Sequence, residues 1–157
     1  MADPVKLQSV ETVFGIRAAS RLMTEAMPSW IQDLGILVEA VEATRPPGAA
    51  VDWKPGAVLR LPFSKRLSRD GQALWPQTLA AFADAAMIVA SSAAWNGYRP
   101  MNPIDQTVHH LRAASFDVLA DARILRVTRA ACFGQIGLLS AVDKRPVAMV
   151  SSVYAVV

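Results

Sequence analysis

The stretch from Trp75 to Trp95, WPQTLAAFADAAMIVASSAAW, constrains the fold more than any other part of the chain. It is apolar and alanine-rich, with one carboxylate, Asp84, in its middle. Pro76 marks its start, because proline suits the first helical position, where no N–H is needed. Asn96-Gly97 marks its end, with Gly97 expected to take the left-handed cap. The spacing predicts a helix over 76–95, a rod of about 28 Å. Leu79, Phe82, Ala83, Ala86, Val89, Ala90 and Ala93 recur along one face, and the opposite face is hardly more polar. A helix apolar nearly all round is a buried one. Its length is borderline for a membrane span. Leucine and isoleucine are few, however, and a central aspartate costs about 2.5–3.5 kcal/mol on the insertion scale. The stretch is therefore read as a core helix, with no membrane partner. Asp84 is then the anomaly. It lies too deep to cap the helix, and aspartate is a poor interior helix former. A carboxylate in that position is paired, hydrated or functional.

At 157 residues the chain fits one domain, 1–157, large enough for a real core. Apolar residues make up 53% and charged residues 18%, a globular balance. The net charge of +3 suits a small anionic ligand and is too weak to argue for nucleic acid. The single Cys132 cannot form an internal disulfide, sits in an apolar run and reads as core packing. A lone cysteine fits a reducing compartment. The N-terminus lacks the layout of a signal peptide, so the expected location is cytoplasmic.

Along the chain, Ser9 is expected to cap a first helix through Val10, Val13, Phe14, Arg17, Ala18, Arg21 and Leu22, with Glu11 and Glu25 outside and Met27-Pro28 as its end. This gives an N-terminal helical segment over 1–28. Strands are expected at 36–41 and 57–63, with Pro62 placing the second at an edge or at its own end. A basic turn, 64–71, delivers the chain to the central helix. Pro100 and Pro103 should break the chain after it. Four strand-like runs follow at 104–111, 118–127, 131–142 and 147–157, the last pair joined by a tight turn at Asp143-Lys144-Arg145-Pro146. Strands joined by short turns are antiparallel, and a helix covers their apolar face. The fold class is α+β, an antiparallel sheet wrapped around a long central helix.

This layout resembles the hotdog fold, and most closely the phenylacetate-degradation type of acyl-CoA thioesterase, from about Trp30 to Val157. Leu34-Gly35-Ile36 with Val38-Glu39 looks like that family's first strand. Ala80 to Ala86 looks like its Leu-Ala-Asp-x-Ala helix. Ile104-Asp105-Gln106-Thr107-Val108-His109-His110-Leu111-Arg112 stands where the family has Val-Asp-Leu-x-Val-x-Phe-Leu-Arg. Ala122 to Arg126 and Arg129 to Phe133 resemble the following arginine-rich hairpin. The resemblance implies a homodimer or homotetramer with its active site between subunits, and an acyl-CoA substrate; no cofactor is expected, and the ligand count argues against a metal. Asp84 would be the general base or nucleophile against the thioester carbonyl. A carboxylate in a partly desolvated cleft is more basic than in water.

The start of the helix departs from the family pattern. Trp75-Pro76-Gln77 stands where His-Gly-Gly is usual, so the motif is degenerate. Pro76 has no N–H to offer an oxyanion, and losing such a donor typically costs about a hundred- to thousand-fold in turnover. Gln77, by its N–H or its amide, is the available substitute. Arg69 stands where active members tend to carry an asparagine, and Pro103 where a serine or threonine helps. Lys65, Arg66 and Arg69 form one basic group, and Arg123, Arg126 and Arg129 a second. Arginine suits phosphate through its planar fork, so either group could hold the phosphates of coenzyme A. Solvated surface charge accounts for both groups equally well. Trp53, Trp75, Trp95 and Tyr98 could line an acyl pocket, and Trp75 is the one expected at the cleft. His109 and His110 cannot face the same side of a strand. Without a ligand cluster around them they read as structural. A protein that binds acyl-CoA without hydrolysing it is the alternative function.

Overall fold

The computed structural model describes residues 13–157. The expected cap at Ser9, with Val10 and Glu11, lies outside the described residues. The first helix, α1, spans Ile16–Arg21 and runs on as a π-helical turn through Ala26. It starts later than the periodicity suggests, because Gly15 is extended (φ −129°, ψ −168°). Val13 and Phe14 precede the helix, and the Phe14 N–H donates to Asn96 Oδ1 at 2.7 Å. Met27-Pro28 breaks the helix as expected, and Pro28 caps a short α2, Ser29–Gln32.

Two strands follow, β1 (Leu37–Glu42) and β2 (Gly56–Leu61), the latter ending at Pro62. The expected basic turn folds into a 3-10 turn at Lys65–Leu67 and a small hairpin, β3 (Ser68–Arg69) with β4 (Ala73–Leu74). The hairpin turns through Asp70 and Gly71, both at positive φ. The central helix, α3, is Pro76–Ala94. It ends in a Schellman motif. Asn96, not Gly97, takes the left-handed position (φ 54°), and the Gly97 N–H reaches Ser92 O at 2.8 Å.

Four long strands complete the chain: β5 (Met101–His110), β6 (Val118–Val127), β7 (Ala131–Ser140) and β8 (Pro146–Val156). The sheet order is β1-β2-β6-β7-β8-β5, antiparallel throughout. Pro103 was expected to break the chain and instead lies inside β5. It is tolerated because β5 is an edge strand and Pro103 sits at a bulge beside Ile104.

The sheet curls around α3. Leu79, Phe82, Ala83, Ala86, Met87, Val89, Ala90 and Ala93 are all buried. They meet Leu59, Leu61, Ile124, Ile136, Leu138 and Val150 from the inner sheet face. Helix and sheet approach closely: Gly134 on β7 leaves the space that the Met87 side chain fills. This α+β sheet wrapped on a helix is the expected fold class. By length and composition alone α3 could cross a membrane, but most of it is buried within the domain.

The two edges of the sheet differ. β1 is short, bulged at Glu39, and packed by α1. β5 is ten residues long, and most of its side chains are exposed. Its inner face is set by register: Gln106, Val108 and His110 pair with the buried Ser152, Val150 and Ala148. Thr107 and His109 point to the outer face, where His109 lies beside Gln135, Met149 and Ser151.

Candidate active site

One stripe of α3 escapes the sheet. Gln77 is exposed, and Ala80, Ala81, Asp84 and Ile88 are only half-buried. These positions share one face of a 3.6-residue helix. The stripe opens beside β5, where the Gln106 amide donates to Ala80 O at 3.1 Å. β5, the last strand of the sheet, thus covers the helix incompletely on the side of the free edge.

Asp84 lies at the middle of this stripe. Burial pushes its carboxyl above the ordinary range. Among the described residues no cation or hydrogen-bond donor pulls it back down. A desolvated carboxylate without a partner is a strong base for its type. The oxygen of the Gln106 amide, Oε1, is buried without a partner among the described residues. Gln106 was missed in the sequence because it occupies a strand position that reads as packing. Its signal was a polar residue where the resembled family carries leucine.

The helix start holds a second set of groups. Pro76 is the first residue of α3 and supplies no N–H. The N–H groups of Thr78 and Leu79 both bond to Trp75 O, at 3.0 and 3.3 Å. Gln77 keeps the one backbone N–H of this turn outside those bonds. Trp75 is 40% exposed, and the Arg69 guanidinium lies 4.8 Å from its ring centroid. Arg69, Leu74, Pro76, Leu79, His110 and Arg112 border a cavity of about 210 Å³ at this point. His110, on the inner face of β5, therefore meets the helix start, while its neighbour His109 faces away. Arg112 turns its guanidinium toward Pro146 O (3.1 Å) and Asp143 (3.8 Å). Arg69 pairs with no carboxylate among the described residues.

The other predicted residues are not gathered here. Lys65 and Arg66 lie on the 3-10 turn, and Arg66 is tied to Asp33 O at 2.7 Å. Arg123 is held by Asp121 and Glu42 in ion pairs on the outer sheet face. Its guanidinium crosses β2 at Gly56, which has no side chain to block it. Arg126 and Arg129 are exposed at the other end of the sheet, where the β6–β7 turn meets Val156 and α3 finishes. Tyr98 borders a groove with Phe14 and Leu22 beyond the end of α3, far from Trp75. Trp95 stacks with Arg99 at 5.3 Å. Cys132 is fully buried, and burial pushes its thiol up. Among the described residues no three His, Cys, Asp or Glu side chains come together as a metal site.

No protein-family model and no curated protein matches this sequence. Solved structures match over nearly the whole chain. A thioesterase of Haemophilus influenzae superposes with a TM-score of 0.73 at 18% identity, over 94% of this chain and 93% of its own. Zebra fish thioesterase superfamily member 2 gives 0.71 at 18% identity, over 90% and 98%. The E. coli PaaI protein of the phenylacetic acid degradation operon gives 0.69 at 16% identity, over 90% and 96%. The fold is the hotdog fold, shared with proteins of the thioesterase superfamily. At these identities the likeness speaks for the fold.

Proposed function

We propose that this chain is a hotdog thioester hydrolase, acting on acyl-CoA as a homodimer, with Asp84 as its base or nucleophile. The observation that carries the reading is the half-buried carboxylate on the open stripe of the central helix, unpartnered among the described residues. Asp84 takes a proton from water, and the resulting hydroxide adds to the thioester carbonyl. The tetrahedral intermediate then expels the thiolate, which is protonated on leaving. As a nucleophile, Asp84 would instead form a mixed anhydride that water cleaves. The Gln77 N–H, at the positive end of the helix, is the backbone donor available to the oxyanion.

Geometry supports the dimer. Gln77 and Asp84 are two turns apart, about 10 Å along the axis. One chain cannot bring both to a single carbonyl. Two copies with antiparallel central helices would set the Asp84 of one chain against the helix start of the other. The long, exposed β5 edge offers the backbone pairing such a contact needs. In this reading the acyl group enters between Trp75 and the open stripe, and the mild positive charge suits the phosphates of coenzyme A. Lys65, Arg66 and Arg69 lie on the side of the helix start, while Arg126 and Arg129 lie at the far end of the sheet. A cytoplasmic setting suits the single unpaired Cys132. The alternative is binding of acyl-CoA without efficient hydrolysis, favoured by the donor missing at Pro76.

The test is release of free thiol from short, long and aromatic acyl-CoAs, with wild type beside Asp84→Ala. The expected result is wild-type turnover that falls by about 10²- to 10⁴-fold in the variant. Folded, oligomeric wild type that cleaves none of the panel would move the assignment to the binding reading.

A further inference from the structure

We infer that Arg69 is the second oxyanion donor, standing in for the backbone N–H that Pro76 lacks. The inference rests on the hydrolase reading and names a catalytic group within it. The argument begins from a deficit. Acyl-transfer sites hold the developing negative charge with preorganised donors, and each is worth about 10²- to 10³-fold in turnover. The first turn of α3 is short of them. Pro76 has no N–H, and those of Thr78 and Leu79 are spent on Trp75 O. Gln77 alone cannot supply a pair of backbone donors.

Arg69 stands at the right place with the right chemistry. It borders the same cavity as Pro76 and Leu79. Its guanidinium is stacked 4.8 Å from the centroid of the Trp75 ring, the residue immediately before Pro76. Stacking on an indole face orients a planar cation without using its N–H donors. Those donors have no carboxylate to satisfy among the described residues. The contrast with neighbouring cations is direct: Arg66 is bonded to Asp33 O, and Arg112 is turned toward Pro146 O and Asp143. The hairpin of β3 and β4 brings Arg69 back over the helix start, where Leu74 N–H bonds to Ala114 O and Trp75 N–H to Leu67 O. A guanidinium also strengthens its hydrogen bond as the carbonyl oxygen gains charge, which is the differential binding catalysis requires. Trp75 is then the positioning residue, holding the Arg69 plane beside the helix start.

This role is separable from a grip on coenzyme A phosphates. The experiment compares wild type, Arg69→Met and Arg69→Lys on two thioesters of the same acyl group, a full acyl-CoA and a truncated acyl-pantetheine lacking the nucleotide phosphates. Methionine keeps an apolar stem over Trp75 and removes the cation. The expected result is a loss of about 10²- to 10³-fold in kcat for Arg69→Met, of similar size on both substrates, with KM changed far less. Arg69→Lys should recover part of the loss, because charge remains and the fork does not. A defect confined to KM, or one that vanishes on acyl-pantetheine, would overturn the inference and make Arg69 a phosphate contact. Wild type inactive on both substrates would remove the hydrolase reading itself, a distinct outcome. Arg69 is exposed, and an unchanged far-UV spectrum and oligomer size would show that the variants stay folded.

Discussion

The two sides of the central helix have nearly the same hydropathy and opposite surroundings. Phe82, Ala83, Ala86 and Met87 are fully buried against the sheet. One step around the helix, Ala80, Ala81, Asp84 and Ile88 are only half-buried. The closed side holds the domain together by excluding water. The open side carries the one carboxylate of the helix, a neighbouring strand edge and a Gln106 amide oxygen with no partner among the described residues. Composition does not separate them, since alanine lines both. What separates them is the place where the sheet runs out, after β5. A helix that is a core element on one side is thus left partly open on the other.

The comparison breaks most visibly on the closed side. Phe82 is 0% exposed and packs into the main core. Phe82→Ala should cost about 3–5 kcal/mol, through lost burial plus the cavity left behind. Denaturant unfolding at fixed protein concentration measures it, and a cost below about 1 kcal/mol would contradict the packing described. The open side should answer differently. Ala81→Arg adds a long cation on the stripe, where a monomer has room for it, so its effect on the fold should stay within about 0.5 kcal/mol. In the proposed dimer the same cation meets the second helix. Sedimentation should then show a folded monomer replacing a dimer. An unchanged dimer would place the interface elsewhere.

The difference between the two sides also explains what was legible in the sequence. The core face from Leu79 to Ala93 was readable because burial and 3.6-residue spacing coincide there. The bounds of α3 followed from Pro76 and Asn96, and β6 from its β-branched run. The opening of the stripe was not readable, because Ala80, Ala81 and Ile88 are as apolar as the buried residues and exposure is set by strand order. The engagement of Arg123 was hidden for a similar reason: Glu42 is distant in sequence and reaches it only through the β1-β2-β6 register across Gly56. Pro103 misled as a breaker because edge position, not residue type, decides whether a strand tolerates proline. At the candidate site, the anomaly of Asp84 was visible from residue type alone, whereas Pro76 stood out as a missing donor only through the family resemblance. Gln106, the orientation of His110 and the stacking of Arg69 on Trp75 needed coordinates, since each depends on which elements meet at the helix start.

The finest test of the open side is electrostatic. Desolvation raises the Asp84 carboxyl above its ordinary value in the folded state, while in the unfolded chain it returns to that value. Below the unfolded pKa the group is protonated in both states and carries no penalty. As pH rises through the interval up to the folded pKa, the native state holds the proton more firmly than the unfolded chain. Stability contributed by this residue therefore falls with rising pH and stays low above the folded pKa. Asp84→Asn has no such step. Plotted as variant minus wild type, unfolding stability should rise with pH across and just above the ordinary carboxylate range, then level off. Urea unfolding at a series of pH values measures the curve, and the contributions of all other groups cancel in the difference. A curve that falls with pH would mean that the assembled protein supplies Asp84 with a cation or donors, and the open stripe would then be a paired site rather than a desolvated base.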